Sequence, residues 1–463
     1  MRIAVIGGLA AGPTAAAEAK RSDPDAEVVL YEQGAHVSIG ACEIPYYVAD
    51  RLDGPDDLIV LTPDELEATR GVEVHVRHRV TALDARAGTL EVEALDYGAT
   101  RTERFDRFIL ATGARARALD VPGADAAGVF SIRDFADALD VKRWLATEAV
   151  RHVVVVGGGY IGLEMAEAVC DRGLRATILD PAGRVLSSSL APEVGGQLDQ
   201  AVRGAGVLVR AETVTSVLAD DAGRVRAVRT DAGEIVGCQA VIVAIGVTPR
   251  VELATAAGVT RGATGAVAVD EQMRTNVRNV WACGDLVEVP RVLDGRAIHW
   301  PLAPVGRRTA RVAARNAVRR GGTPERMSGI TGAVAVRAFG IEAASVGLDE
   351  DAAREAGFDA VVAQIRHTTR TKVYPGSQPI DVRLVAERGS GRLLGGQVVA
   401  PEGAALRANV LVPILRAGTP ARELAEDMDL VYNPPVAPTV DPLRIAAKMV
   451  MRAAAESARA AGG

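Results

Sequence analysis

The sequence predicts an α/β protein carrying a separate α+β region at its C-terminal end, and three observations support this. Residues 2 to 32 run as a strand (RIAVI), a glycine turn (GGLAAG), a helix (PTAAAEAKRS) and a second strand (EVVLYE). Residues 152 to 180 repeat that order as HVVVV, GGGYIG, LEMAEAVCDRG and RATILD. Beyond residue 321 the glycine unit does not recur, and strand-like runs alternate with helices instead. Each repeated unit spans about 30 residues and closes on an acidic residue, the pattern of a Rossmann-like dinucleotide-binding βαβ unit.

The elements follow in order. After the first unit come the period-2 stretches VEVHVRHRV and GTLEVEAL, then a strand in RFILATG at 107 to 113. The second unit is followed by VLVRAETVTSVLAD, RVRAVRT and AVIVAIG at 240 to 246. NVRNVWACGD and a helical stretch reaching Arg320 come next, and Arg319 to Pro324 reads as a linker. The remainder offers strands in AVAVRAF, DAVVAQIRH, IDVRLVAE and LLGGQVVA, a helix with Thr419 as N-cap and Pro420 at its first position, and an Ala-rich helical tail. At about 150 residues per domain, 463 residues make three domains. The expected division is residues 1–113 with 244–321, residues 114–243, and residues 322–463.

Composition removes several function classes. With 53 Lys+Arg against 59 Asp+Glu the net charge is −6, so no global basic field attracts nucleic acid. Aromatic residues are only 3%, which leaves few base-stacking platforms. Apolar runs such as Val153–Val156 are strand-length, far short of the roughly 20 residues of a membrane span. The four cysteines, Cys42, Cys170, Cys238 and Cys283, are too few and too scattered for a disulfide framework or a zinc site, and no metal is expected. The N-terminus shows no signal-peptide pattern, so a reduced, cytoplasmic location is expected.

In the first loop Gly7 permits the tight turn after the strand and Gly12 permits close helix packing, while backbone N–H groups at the helix start face a pyrophosphate. Glu32 ends the second strand, where a carboxylate accepts ribose hydroxyls. The middle glycine of G-x-G-x-x-G is replaced by Leu9. The second loop is complete with Gly157, Gly159 and Gly162, and Asp180 closes it. A carboxylate there bonds a free 2′-hydroxyl and repels a 2′-phosphate, and Pro181-Ala182-Gly183 supplies no cation, so NADH is favoured over NADPH. The opposite preference would require Arg184 to swing in. Two nucleotide sites imply two cofactors, a bound flavin and an exchanging nicotinamide.

These motifs, with Ala111-Thr112-Gly113, Ala244-Ile245-Gly246 with Pro249, and Thr275 through Trp281-Ala282-Cys283-Gly284-Asp285, make the chain resemble the flavin-dependent pyridine nucleotide-disulfide oxidoreductases over nearly all its length. The resemblance implies a glutathione reductase-like fold: a discontinuous FAD domain (1–113 and 244–321), an NAD(P)H domain (114–243) and a dimerisation domain (322–463). It places FAD against Gly7, Gly8, Ala11, Gly12, Glu32, Val80, Thr112, Gly113, Asp285 and Ala303, with Asp285 on the ribityl chain. It places the nicotinamide cofactor against Gly157, Gly159, Tyr160, Ile161, Gly162, Glu164, Asp180 and Gly246. Tyr160 is expected to cover the flavin face and move aside, and Glu164 to orient the nicotinamide amide.

The cysteines narrow the branch. Cys42 lies in SIGACEIPYY, where a helix begins, and a helix N-terminus lowers a thiol's pKa. Relatives with a redox disulfide carry a second cysteine five residues on; here that residue is Tyr47. The other three cysteines sit in apolar patterns and read as core. A lone cysteine followed by Ile-Pro-Tyr is similar to the branch holding coenzyme A-disulfide reductases, persulfide reductases, NADH oxidases and NADH peroxidases. The histidine that the last two carry in the first loop is Ala10 here. Tyr374-Pro375-Gly376 and Tyr432-Asn433-Pro434-Pro435 match the coenzyme A-disulfide reductases, whose two tyrosines complete the partner subunit's active site in a homodimer. His299 is the nearest histidine by position. By the same resemblance Thr14, Arg21, Ser38, Arg70 and Arg307 contact coenzyme A, and the resting Cys42 is expected as a mixed disulfide with a small thiol, coenzyme A among the candidates, or as another oxidised sulfur. Glu18, Ala41 and Val440 depart from that pattern, and the added carboxylate and lost ammonium disfavour a polyphosphate.

The expected activity is NADH-dependent reduction of a small disulfide or persulfide, coenzyme A disulfide first, through Cys42. The alternatives are an NADH oxidase or peroxidase working through a sulfenic Cys42, and a flavin-bearing redox sensor.

Overall fold

The computed structural model describes residues 1–147 and 149–461. Its helices are α1 (Ala11–Ser22), α2 (Ile44–Val48), α3 (Pro63–Arg70), α4 (Phe135–Leu145), α5 (Tyr160–Asp171), α6 (Pro192–Gly204), α7 (Glu252–Ala256), α8 (Ala303–Ala317), α9 (Glu350–Glu355), α10 (Ala404–Ala417) and α11 (Pro442–Ala461).

Two parallel five-stranded sheets are built on the two glycine units. In the first, Val280–Ala282, Arg107–Leu110, Arg2–Ile6, Glu27–Tyr31 and Glu73–His75 lie side by side in that order. The second has the order Leu208–Arg210, Arg175–Leu179, His152–Val156, Ala240–Val243 and Val129–Ser131. Both central strands are buried along four of five residues, as expected of parallel sheets covered on both faces. With so few aromatics the cores are aliphatic: Ile3, Val5, Val153 and Val155 are fully buried. The chain leaves the first sheet after Leu110, forms the second, and returns to the first at Val280. Ala114–Ala116 and Val247–Pro249 pair antiparallel where it crosses out and back. Three-stranded antiparallel layers, His78–Asp84 with its two successors and Val214–Ala219 with its two, are inserted into each half.

The third sheet is antiparallel throughout, in the order Ala333–Ala338, Ile341–Gly347, Leu393–Ala400, Pro379–Glu387 and Ala360–Thr368. It contains Ile341–Gly347, which the sequence reading passes over. The segment after Gly418 also departs from expectation. The Thr419 carbonyl accepts from Leu393 N at 3.1 Å and Pro420 bridges Arg392, so the helical turn starts one residue later than expected, at Ala421, and is π-helical over Glu423–Asp427. Among the described residues no helix is long and apolar enough to cross a membrane, and no group of side chains is suited to hold a metal ion.

Candidate active site

The two glycine turns reach the same geometry from similar sequences. Gly7 and Gly157 have φ of +108° and +100°, and a Cβ on either would lie 2.2 and 2.6 Å from the carbonyl oxygens of Ala111 and Ala244. A Cβ on Gly12 or Gly162 would lie 1.7 or 2.0 Å from the Gly7 or Gly157 oxygen. The first and third glycines are therefore fixed by the fold. The middle one is not: a Cβ on Gly159 meets nothing within 4 Å, and Leu9 occupies the matching place in the first loop. Neither helix start has a side-chain cap, which leaves first-turn N–H groups of α1 and α5 free for an anion. The acids behave alike as well. Glu32 accepts from Gly8 N and Gly34 N, both at 2.6 Å, and Asp180 accepts from Gly158 N at 2.8 Å and Ala182 N at 2.9 Å.

A continuous cavity of about 1590 Å³ opens from the first loop, larger than the roughly 300–1,000 Å³ of a single small-ligand site. Gly7, Gly8, Ala11, Glu32, Val80, Thr112, Gly113, Asp285 and Ala303 all lie on its wall. Gly12 stands behind the wall as a packing residue. This volume, the glycine cradle and the free N–H groups fit a dinucleotide such as FAD. Asp285 is held by Arg133, whose Nη2 donates to Oδ2 at 2.7 Å while its Nε donates to the Ala114 carbonyl at 3.2 Å. His299 bonds the Asp285 carbonyl at 2.8 Å and so is committed to the backbone. Sequence reasoning missed Arg133. The Asp134/Asp137 capping box beside it marks the start of α4 and nothing more.

Cys42 lies on the wall of the same cavity, exposed, in a single 3₁₀ turn (Ala41–Glu43) that leads into α2. The expected lowering of its pKa is corrected by the structure. The surrounding wall desolvates the thiol and pushes it up even though solvent reaches the side chain, and the carboxylates of Glu43, Glu164 and Asp285 add to this, with Arg133 opposing. A five-residue helix preceded by a 3₁₀ turn offers too little dipole to offset three carboxylates. Cys238 and Cys283 are buried, Cys170 is half-buried, and none is disulfide-bonded.

The residues expected to contact the nicotinamide cofactor sit outside this cavity on the second unit. Ile161 and Glu164 lie in the first turns of α5, and Gly246 (φ +97°) lies just before the crossing strand. Tyr160 is turned toward its own domain: its hydroxyl bonds Ser189, and burial raises it to about 12. On α5, burial first and then the neighbouring Glu167 raise the Glu164 carboxyl to about 7, with the Tyr46 hydroxyl pulling it the other way.

Thr14, Arg21, Ser38, Arg70 and Arg307 all line the same cavity as Cys42. Glu18, read from sequence as an obstacle to an anionic ligand, is 3% exposed and neutralised on both sides. It pairs with Arg21, and Arg315 Nε donates to it at 2.7 Å. Arg70, Arg307 and Arg311 remain on the lining with no carboxylate partner among the described residues, which leaves a cationic wall. Tyr374 and Tyr432 do not join the cavity of their own chain. They are exposed on the third domain, 38% and 51%, beside Val373, Val431, Val436 and Val440.

A profile described as pyridine nucleotide-disulphide oxidoreductase matches residues 1–317, and its dimerisation domain matches residues 335–443. The chain belongs to this family: it is an oxidoreductase of the class that uses FAD with NAD(P)H, with a dimerisation domain as its third unit. Within the family it is similar to the NAD(P)H coenzyme A polysulfide/persulfide reductase of Pyrococcus horikoshii, 34% identical over 449 residues, covering 97% of this chain and 98% of that one. It is 30% identical to an NADH oxidase of Enterococcus faecalis, covering 89% and 91% of the two chains. The solved NAD-dependent persulfide reductase from A. fulgidus superposes with a TM-score of 0.93 at 31% identity, covering 98% of this chain and 83% of that one.

Proposed function

We propose that the chain reduces a low-molecular-weight disulfide or persulfide with electrons from NADH, through Cys42 as its single redox-active thiol. One observation carries this: Cys42 stands exposed on the same cavity as the glycine cradle, with Tyr47 where a second sulfur would close an internal disulfide. Bound FAD supplies the two-electron relay between nicotinamide and sulfur. Gly7, Gly8, Ala11, Gly12, Glu32, Val80, Thr112, Gly113, Asp285 and Ala303 hold it, within a domain formed by residues 1–113 and 244–321. The domain of residues 114–243 takes NADH through Gly157, Gly159, Tyr160, Ile161, Gly162, Glu164, Asp180 and Gly246. Cys42 attacks the incoming sulfur, and that bond is then reduced. Coenzyme A disulfide is the leading substrate, because the unpaired Arg70 and Arg307 supply cations for its phosphates and Thr14, Arg21 and Ser38 line the same wall. The same wall suits coenzyme A held as a mixed disulfide on Cys42.

The domain of residues 322–463 forms a homodimer, which brings Tyr374 and Tyr432 to the partner's Cys42 cavity. The exposed apolar residues around both tyrosines support that use. A doubly substituted Y374F/Y432F enzyme is expected to keep its flavin and its reduction by NADH while disulfide turnover falls by about 10²-fold, the worth of a positioned proton donor. Stopped-flow separation of the two half-reactions checks this. Four unpaired cysteines suit a cytoplasmic compartment.

Asp180 sets the preference for NADH. Asp180→Ala is expected to lower kcat/KM for NADH about 10- to 100-fold, the loss of charge-assisted hydrogen bonds of about 1.5–3 kcal/mol, and to narrow the gap to NADPH. An unchanged preference in steady-state kinetics removes Asp180 from this role.

The relationship to an NADH oxidase favours a second reading, electron delivery to oxygen through a sulfenic Cys42. Ala10 provides no histidine for it. Oxygen consumption measured against disulfide consumption separates the two.

A further inference from the structure

Around Cys42 the chain passes from one core to another. Val37 is buried in the core of the first sheet, whereas Ile44, Tyr47 and Val48 of α2 are buried in the core of the second, with Val141 of α4 and Val169 of α5. Cys42 therefore stands between two anchors. Before it, Val60 N donates to Ser38 O and Gly40 N donates to Leu58 O, both at 2.8 Å. After it, the turn that carries the thiol runs directly into α2, which packs against both α4 and α5. A helix of five residues holds its orientation only through its surroundings, and the last carbonyls of a helix need partners from outside it. Two cations supply them. Lys142 Nζ, on α4, donates to the Tyr47 carbonyl at 2.8 Å and lies over the Tyr47 ring at 3.9 Å, and Arg172 Nη1, just after α5, donates to the Val48 carbonyl at 3.1 Å. Both also pair with Asp50, Lys142 at 2.8 Å. Arg51 adds a third tie, to Asp171 at 2.6 Å and Glu167 at 3.4 Å, and Glu167 accepts from Phe339 N at 2.6 Å.

We propose that Lys142 and Arg172 are positioning residues for Cys42: by gripping the C-terminal end of α2 from the second half of the molecule, they fix where the thiol stands on the cavity wall. This rests on the reading of Cys42 given above. Tyr47, where a second sulfur would close an internal disulfide, is 6% exposed, does not line the cavity and serves as the handle that Lys142 holds. The gripping helices also reach the two cofactor regions. On α4, Phe135 and Leu139 line the cavity with Cys42, and Lys142 follows Leu139 by three residues. On α5, Gly159 stands at the N-cap and Asp171, which Arg51 pairs with, is the last residue. With its C-terminal partners removed, α2 loosens and the turn before it shifts, while α4 and α5, buried in their own core, stay in place. A displacement of about 1 Å is enough to slow a reaction by about 10²-fold.

The test uses the flavin-loaded double variant K142M/R172M, its conservative counterpart K142R/R172K, and Cys42→Ser as the blank. Stopped flow separates reduction of the flavin by NADH from reoxidation of the reduced enzyme by coenzyme A disulfide or by pantethine, a disulfide without phosphates. K142M/R172M is expected to be reduced within about twofold of the wild-type rate and reoxidised about 10²-fold more slowly, with K142R/R172K recovering most of that rate. Iodoacetamide alkylation of the reduced enzyme against pH reads the thiol directly, because Cys42 is the exposed cysteine among the four. Its midpoint in K142M/R172M is expected to fall by about 1 pH unit, as the freed thiol leaves the desolvating wall and the carboxylates of Glu43, Glu164 and Asp285, which together outweigh Arg133. A milder variant, Asp50→Asn, removes only the shared carboxylate at an exposed position whose φ of +58° asparagine tolerates, and decides the matter if the double variant does not fold. It is expected to slow reoxidation about threefold, the worth of an exposed ion pair. Equal slowing of both half-reactions, an alkylation midpoint that stays at the wild-type value, or Asp50→Asn reoxidised at the wild-type rate overturns the positioning role alone. Wild-type enzyme inert to both disulfides overturns the reading of Cys42 and the positioning role together.

Discussion

Cys42→Ser is expected to abolish disulfide turnover, by at least about 10³-fold, in an enzyme that still binds its flavin and is still reduced by NADH. The side chain is exposed, and the swap removes no buried contact, so stability should stay within about 0.5 kcal/mol of wild type. The hydroxyl cannot supply the nucleophile that a thiolate supplies, because its proton is held far more tightly. Cys170, Cys238 and Cys283 cannot substitute, since they are buried or half-buried and burial raises their thiols to between about 11 and about 12. The measurement is an anaerobic NADH titration followed by flavin absorbance, then addition of disulfide. Reoxidation of the reduced variant by disulfide at the wild-type rate would falsify the role of Cys42. The pH dependence follows from the raised thiol. Attack requires the thiolate, so the wild-type exchange rate should climb with pH on its acidic side, and that climb should be missing from the variant.

What the sequence discloses depends on whether the physics is local. Both βαβ units are readable because each joins an apolar strand, a glycine turn and an acid within about 30 residues, and the structure realises every part of that grammar. Ile341–Gly347 went unnoticed because IEAASVG is rich in Ala and Ser. It is a strand because Ala333–Ala338 and Leu393–Ala400 pair on either side of it, a tertiary cause that propensity does not record. The helix start expected at Pro420 moved for a related reason: a good local signal lost to hydrogen bonding with Leu393.

The site follows the same rule. Cys42 is legible from its neighbours in sequence, whereas its electrostatics are not. Of the groups that set its charge, Glu43 is adjacent, but Arg133, Glu164 and Asp285 arrive from other parts of the chain. The Arg133–Asp285 pair joins residues 152 apart, and Arg315–Glu18 joins residues 297 apart. For that reason Glu18 looks hostile to an anion in sequence, whereas in the fold its charge is paired with Arg21 and Arg315. The dipole argument failed because Cys42 precedes a helix of only five residues, too short to outweigh the desolvation and the nearby carboxylates.

Gly12→Ala and Gly159→Ala, identical in chemistry and both in glycine loops, should have opposite consequences. A Cβ at Gly12 would lie 1.7 Å from the Gly7 carbonyl oxygen. That oxygen has nowhere to go: Gly7 N donates to Tyr31 O at 2.8 Å, and Gly7 itself lies against the Ala111 carbonyl closely enough to exclude a side chain. The variant must therefore push α1 away from the sheet, and α1 is also packed against α8, which carries Ala303 and Arg307. We expect a loss of about 3 kcal/mol, a melting point lower by roughly 5–10 °C, and protein purified without flavin. At Gly159 the added Cβ meets nothing within 4 Å, and φ is an ordinary −73°. That variant should fold, melt and hold flavin like wild type, while its KM for NADH rises, because the methyl group enters the space the loop leaves for a pyrophosphate. Thermal melts, flavin-to-protein absorbance ratios and NADH kinetics on the two proteins decide the matter. Gly12→Ala with full flavin and an unchanged melt would mean that the cradle is not set by this contact, and Gly159→Ala with an unchanged KM would place the dinucleotide elsewhere.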